Sequence, residues 1–320
     1  MDNLELRALL FVAFVVFVFI AAANFLLMRL YCRISHARFP QNRTYMVAEW
    51  LIFTGAAIGL ACILYARLVE PFWPKVIHLQ LASAKIARGA HSIRIVQISD
   101  VHSDARARLE PRLPEIIAAE KPDVIVFTGD STNSRQGIPV FRELMTKLAR
   151  IAPTYASRGN WDEWEGAHEQ LFDGTGVVDL NGQAVRLEFH GTSIWIGGLA
   201  TNNLASVTSV FAAAPANELR LLLHHYPDRI IGGYGGLEGA SGKVDLLGSG
   251  HTHGGQIALP IYGALVTFSR FGKRFEWGLH RVGDTWVYVN RGIGMEGGRT
   301  PRMRFWARPE ITVIDIAPMR

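Results

Sequence analysis

Five short polar clusters carry the chemically capable side chains of this 320-residue chain. They are Asp100-Val101-His102, Gly129-Asp130, Gly159-Asn160-Trp161-Asp162, His224-His225-Tyr226-Pro227-Asp228, and Gly250-His251-Thr252-His253-Gly254-Gly255-Gln256. Carboxylate, imidazole and amide oxygen together make a mixed nitrogen and oxygen donor set that suits Mn, Fe or Zn. Residues two apart in an extended segment face the same side, so Asp100 with His102, or His251 with His253, can reach one point. Taken singly the clusters mean little. An aspartate after a strand is usually a turn or cap residue, and GNWD reads equally well as an Asx turn. Two histidines followed by paired glycines serve no packing purpose, and all five clusters in this order point to one metal site.

Such a site needs strand ends that converge. Residues 93–99 (IRIVQIS) and 123–129 (DVIVFTG) are short apolar runs that end at Asp100 and Asp130. Between them, residues 108–120 hold Leu109, Leu113, Ile116 and Ile117 at helical spacing, which gives a β-α-β step. Residues 141–149 predict a second helix, and TYASRGN a short strand running into Asn160. Further strands are expected at 184–189, 192–196, 219–223, 244–247, 285–289 and 311–314. Polar residues just past the ends of these runs stand where open α/β sheets place their sites. Many strands with few helices in the second half predict two sheets face to face with helices outside, an α/β four-layer α-β-β-α sandwich over residues 76–320.

Ahead of the sandwich, residues 9–30 (LLFVAFVVFVFIAAANFLLMRL) and 46–65 (MVAEWLIFTGAAIGLACILY) are each apolar enough to span a bilayer as a helix. Residues 1–75 therefore read as an anchor of two transmembrane helices. A cleaved signal peptide fits poorly, because Asp2 and Glu5 make the leading segment acidic. Arg29, Arg33, Arg38 and Arg43 draw the connecting loop towards the cytoplasm, while Arg67, Lys75, Lys85 and Arg88 draw the segment after the second span. The charge count does not decide between the two sides; the expectation is a multi-pass inner (cytoplasmic) membrane protein, with the large domain on the cytoplasmic side if its substrate is a nucleotide. A net charge of +5 suits a phosphate-rich ligand or an anionic lipid surface. No continuous basic run marks a nucleic-acid footprint, and no obligate protein partner is implied. The two cysteines, Cys32 and Cys62, lie in or beside the apolar segments, which excludes a disulfide framework and a cysteine-ligated metal.

The series DxH, GD, GN, H and GHxH resembles the calcineurin-like metallophosphoesterases. GHTHGGQ and the closing RGIGMEGGRTPRMRFWARPEI are similar to the bacterial membrane-anchored branch of that family, over about residues 90–315. The resemblance implies metal-dependent hydrolysis of a phosphoester or pyrophosphate bond by two divalent ions, Mn first, with Fe or Zn as alternatives. It implies Asp100, His102 and His253 on one ion, Asn160, His225 and His251 on the other, and Asp130 bridging both. His225 is preferred to His224 because it stands in the H-x-P-D spacing. Asp162 and Asp228 are expected as acceptors behind the ligating histidines. Paired cations of this kind clamp phosphoryl oxygens and stabilise charge on attacking and leaving oxygens. The competing class, a membrane protein whose metal is structural or only senses phosphate, has no use for a second adjacent metal with open positions.

One departure from the family pattern has chemical weight. The common motif is GNHD, and here Trp161 replaces the histidine; an indole offers one N–H and cannot exchange a proton at neutral pH. Either His168 or His224 supplies the proton, or the leaving group is already stable as an anion, as in a pyrophosphate. The second reading is preferred. Trp161 and Trp164 are expected to wall the pocket. Arg270, Lys273 and Arg274, and separately Arg302 and Arg304, are expected to meet substrate phosphate within basic and aromatic stretches. The resulting expectation is a lipid-linked substrate such as UDP-2,3-diacylglucosamine, split to lipid X and UMP as similar family members do. The alternative is a phosphodiesterase or phosphatase of other or broad specificity.

Overall fold

The computed structural model describes residues 3–39, 42–164, 171–232, 243–297 and 301–319. The chain divides into two compact units, Met1–Val69 and Glu70–Arg320.

The first unit is a pair of helices, α1 (Asn3–Ile34) and α2 (Arg43–Leu68). Both are apolar around most of their circumference, yet only 6% of each hydrophobic window is buried in the protein. Helices built this way match a hydrocarbon surround better than an aqueous one. By length and composition, the stretches Leu6–Ile34 and Arg43–Phe72 are sufficient to cross a membrane. Gly55 and Gly59 let α2 lie close on Val18 and Phe19 of α1, the usual service of small residues between such helices. Asn42 caps α2 by accepting the Tyr45 N–H at 2.7 Å.

The second unit runs β1 (Lys75–Ser83), β2 (Ile93–Ile98), α3 (Leu113–Ala119), β3 (Val124–Thr128), α4 (Ile138–Ala149), β4 (Thr154–Ser157), α5 (Asn160–Trp164) and β5 (Val178–Asp179). It continues with β6 (Gln183–Phe189), β7 (Thr192–Leu199), α6 (Val207–Val210), β8 (Leu219–His224), α7 (Arg229–Gly232) and β9 (Leu246–Ser249). Short β10 (Ala258–Leu259) and β11 (Gly263–Ala264) precede β12 (Gly278–Val282), β13 (Thr285–Val289) and β14 (Glu310–Pro318). One sheet has the order β1-β14-β2-β3-β4-β5 and the other β12-β13-β9-β8-β7-β6.

Period-two patterning sorts the apolar residues into layers. Ile93, Ile95, Val124, Val126 and Ile314 of the first sheet face Ile194, Ile196, Leu221, Leu223 and Tyr288 of the second. The alternate residues Val96, Ile98, Ile125 and Phe127 pack outward on Leu113 and Ile117 of α3 and on Phe141, Leu144 and Leu148 of α4. On the far side Leu222, Leu247 and Val287 pack on Val207, Val210 and Phe211. The four-layer α-β-β-α arrangement expected from the pattern is present.

Some elements differ from expectation. The helix predicted over 108–120 is confined to Leu113–Ala119, because Pro111 and Pro114 restrict the residues before them and Pro114 suits only the first turn. Strands β1, β5, β10, β11 and β12 were not anticipated. β1 and β12 are edge strands with mixed exposure, so their sequences carry no clean apolar face.

Strand direction decides where a site can form. β2, β3 and β4 pair in parallel, as do β7, β8 and β9, so each set gathers its C-terminal ends at one edge. β14 runs antiparallel to β2, and β1 runs parallel to β14 with Lys75 opposite Glu310. Both β1 and β14 therefore begin at the edge where β2 ends.

Candidate metal centre

Each polar cluster leaves the C-terminal end of a strand of this sandwich, and the backbone there turns sharply. Asp100, His102, Asp130, His251 and His253 all have left-handed backbone angles, with φ of 48°, 43°, 61°, 73° and 51°. Aspartate and histidine adopt this region more readily than most residues, still at a cost of order 1–3 kcal/mol each. Such turns swing the side chains back across the strand ends. Gly129 and Gly159 let two of the loops touch. A Cβ on Gly129, at φ 97°, would sit 2.5 Å from the Gly159 nitrogen, and one on Gly159 would overlap the Asp130 carboxylate.

Two donor groups result, Asp100 with His102 and His253, and Asp130 with His225 and His251, each with ligand atoms within 4.8 Å of one another. Both groups mix residues from the two sheets. In the first, His253 Nε2 lies 3.2 Å from both Asp100 Oδ1 and His102 Nε2. In the second, His225 Nε2 lies 3.1 Å from Asp130 Oδ2. That same Asp130 oxygen is 3.6 Å from His102 Nε2, so one carboxylate oxygen stands between the groups. Asp130 Oδ1 is turned away and accepts the Trp161 backbone N–H at 2.9 Å.

The donor set fits divalent ions. Asn160 Oδ1 is buried without a hydrogen-bond partner among the described residues, which is costly for a polar atom unless something else satisfies it. His225 Nδ1 donates to the Thr128 carbonyl at 2.8 Å, and His251 hydrogen-bonds the Phe268 carbonyl. These bonds fix the rings and turn the opposite nitrogens towards the donor groups.

Electrostatics follow from burial and proximity. Burial, then the charge of His253, holds the His102 imidazole well below its ordinary range, and burial with His225 does the same for His251. Both are neutral and ready to donate a lone pair at neutral pH. Burial alone would raise Asp100, but His253, His225 and His102 outweigh it and hold the carboxyl far below the usual range. Asp130 and His225 form a tight pair. Burial, with Asp100 and Asp162, raises the carboxyl, while Asp130 outweighs burial at His225 and raises the imidazole.

Several expected roles are corrected by position. Asp162 does not back a histidine. Its carboxylate accepts the backbone N–H groups of Asp130 (2.9 Å), Ser131 (2.8 Å) and Gly159 (2.8 Å), pinning two site loops together. Asp228 likewise accepts the Arg270 N–H at 2.9 Å. His224 is fully buried on the outward face of β8, where Nδ1 meets the Leu199 carbonyl at 2.9 Å and burial lowers the ring to about 3. It faces away from the donor groups, so it is not the missing acid. Arg304 is fully buried, not presented to substrate, and donates to the carbonyls of Gly294, Ala307 and Arg291 while Nη2 lies 3.2 Å from His253 Nδ1. It fixes the His253 loop.

Other expected residues are placed more loosely. Arg302 pairs with Asp104, just beyond His102. Arg270 and Arg274 are exposed, and Lys273 Nζ sits 3.4 Å over the Tyr262 ring. Trp161 stands edge-on to His102 with ring centres 5.5 Å apart. His168 and the Trp164 side chain lie outside the described residues. Tyr226, which stands inside the fourth cluster with no role read for it, has its ring 4.4 Å from that of His251. Two contributors gave no sequence signal: Arg108 and Asn133, which both donate to the His102 carbonyl. They lie between or beside the motifs, and only the fold turns them inward.

A model of the calcineurin-like phosphoesterase family matches residues 93–255. The chain is 32% identical to the metallophosphoesterase YkuE of Bacillus subtilis (strain 168), with 89% of this chain and 98% of YkuE covered. It is 28% identical to the phosphodiesterase YaeI of Escherichia coli (strain K12), covering 88% and 99%. A transmembrane protein with a metallophosphoesterase domain from Bos taurus is 25% identical, with 77% of this chain and 58% of that protein covered. Among solved structures, GAP50, the anchor in the inner membrane complex of Plasmodium, aligns at 12% identity and a TM-score of 0.46, over 71% of this chain and 82% of GAP50.

Proposed function

From the premise that this chain belongs to the calcineurin-like phosphoesterases, a family of metal-dependent hydrolases, we propose that it is a dinuclear enzyme cleaving a phosphodiester or pyrophosphate bond in a lipid-linked substrate. The observation that carries this reading is Asp130 Oδ2, poised 3.1 Å from His225 and 3.6 Å from His102, where a shared carboxylate offsets the repulsion of two cations. Asp100, His102 and His253 would hold one ion and Asn160, His225 and His251 the other, with Mn the first expectation from the donor types. When bound, the ions supply Lewis acidity to phosphoryl oxygens and acidify water.

The protein's own residues set the rest. The Trp161 N–H holds Asp130 Oδ1 and so aims Oδ2 at the gap between the groups. The Trp161 indole walls the His102 side and offers no exchangeable proton to a departing oxygen. A leaving group that is stable as an anion suits this site, which favours phosphate-type or acidic alcohol leaving groups over simple alkyl alcohols. Likeness to YaeI supports the diester form of the reading. UDP-2,3-diacylglucosamine, giving lipid X and UMP, is its pyrophosphate form and calls for a cytoplasmic catalytic unit. The two apolar helices and the bovine transmembrane relative support a substrate met at a membrane.

The deciding experiment is product analysis with full-length protein in detergent and Mn²⁺, given UDP-2,3-diacylglucosamine and, separately, bis(p-nitrophenyl) phosphate. Metal-dependent UMP release supports the pyrophosphate form. Diester turnover without UMP keeps the phosphodiesterase and discards the nucleotide-lipid. No metal-dependent turnover of either substrate overturns the enzyme reading.

A further inference from the structure

The chain enters the catalytic unit at the metal edge of the sandwich. β1 begins at Lys75, opposite Glu310 at the start of β14, where β2 ends and Asp100 follows. The apolar stretch containing α2 runs to Phe72, so Phe72 and Trp73 occupy the junction between span and sandwich. Both are exposed.

A second loop meets this junction. Buried Glu70 accepts the backbone N–H groups of Trp306 at 3.0 Å and Ala307 at 2.6 Å. Arg308 donates to the Trp73 and Pro74 carbonyls and lies 4.0 Å over the Trp73 ring, and Arg112 donates to the Phe72 carbonyl. Trp306 is 60% exposed and has a left-handed φ of 58°, a costly backbone for a bulky side chain. The clamp by Glu70 therefore holds a strained turn whose indole gains little packing within the protein. The same loop is stitched to the metal centre: Phe305 N–H donates to the Gln256 carbonyl at 3.1 Å, three residues after His253.

We propose that Phe72, Trp73 and Trp306, with Arg112 and Arg308, form a bilayer-docking face of the catalytic unit that seats its metal edge on an anionic lipid leaflet. Indoles and phenyl rings favour the headgroup level of a membrane, and the arginines complement anionic headgroups. The occupant is the leaflet, because the face continues directly from a segment apolar enough to span it. Phosphate groups of lipids in that leaflet then reach the donor groups without leaving the interface. This deepens the proposed function and rests on it for the substrate, but not for the docking.

The test uses the full chain reconstituted in phosphatidylglycerol-containing vesicles whose acyl chains are brominated near the headgroup. Comparing wild type with Trp306→Phe isolates the emission of Trp306. The expected result is quenching of that emission by the lipid bromines and protection from aqueous acrylamide. Trp306→Ser is expected to reduce turnover of a bilayer-embedded phosphodiester about tenfold more than that of water-soluble bis(p-nitrophenyl) phosphate. Trp306 emission untouched by the bromines and quenched by acrylamide overturns the proposal, as does an equal loss on both substrates. Bromine quenching with no hydrolysis of any lipid supports the docking face and removes only the lipid substrate.

Discussion

The carboxylate of Asp162 accepts the backbone N–H of Asp130 at 2.9 Å, so one acidic residue sets the position of another without touching its side chain. The same carboxylate takes two further N–H groups, from Ser131 and Gly159. Truncation leaves three buried donors unpartnered. Asp162→Ala should lose about 3 kcal/mol of stability or more, together with most of the activity, and retain less metal. Calorimetry and elemental analysis read both effects. An unchanged melting temperature with full metal content would sink the idea that this clamp builds the site.

Asp130→Asn removes the charge between the two donor groups and keeps the shape. Turnover should fall by roughly three orders of magnitude, about 4 kcal/mol of barrier, and bound metal should drop from two ions towards one. Circular dichroism should match wild type. If folding is lost in step with activity, the metals are structural and the hydrolase reading fails.

Metal loading should release protons. In the metal-free protein Asp130 outweighs burial and raises the His225 imidazole above its ordinary value, so it is protonated at neutral pH and must give up that proton to ligate. Occupancy of the Asp130, His225 and His251 group should therefore strengthen as pH rises through and above the ordinary histidine value, about 6.5. Titration calorimetry of the chelated protein with Mn²⁺, in buffers of different ionisation enthalpy, counts the protons. Zero release across the neutral range would contradict this charge state.

Trp161→His restores a titratable ring at the position edge-on to His102. Hydrolysis of alkyl phosphate esters should rise by about 10²-fold, while esters with acidic leaving groups change little. The readout is the slope of log kcat/KM against leaving-group pKa, expected to be shallower in the variant. An identical slope would show that the indole is not what limits the leaving group.

How legible the molecule was depends on the length of the signal. Short apolar runs ending in Asp100, Asp130 and Asn160 marked β2, β3 and β4, because period-two burial against two layers writes a strong pattern. The chain carried no such pattern for β1, whose residues alternate between partial exposure and partial burial along a sheet edge. At the site, residue types were enough to collect Asp100, His102, Asp130, His225, His251 and His253. The H-x-P-D spacing favoured His225 over His224, and the strand supplies the physical reason, since adjacent residues point to opposite layers and His225 is the one on the side of the donor groups. Arg304 looked like a surface cation because a basic, aromatic stretch reads as a rim. Burial turned it into a three-carbonyl clamp, a role that no local pattern announces.

Each donor group takes side chains from both sheets, with Asp100, His102 and Asp130 following strands of one and His225, His251 and His253 following strands of the other. The centre thus works as a rivet through the sandwich: any shear or breathing of one sheet against the other would pull the ligand atoms out of register. Motion that admits substrate and releases product must then arise in the rim loops, with the two sheets moving as one block.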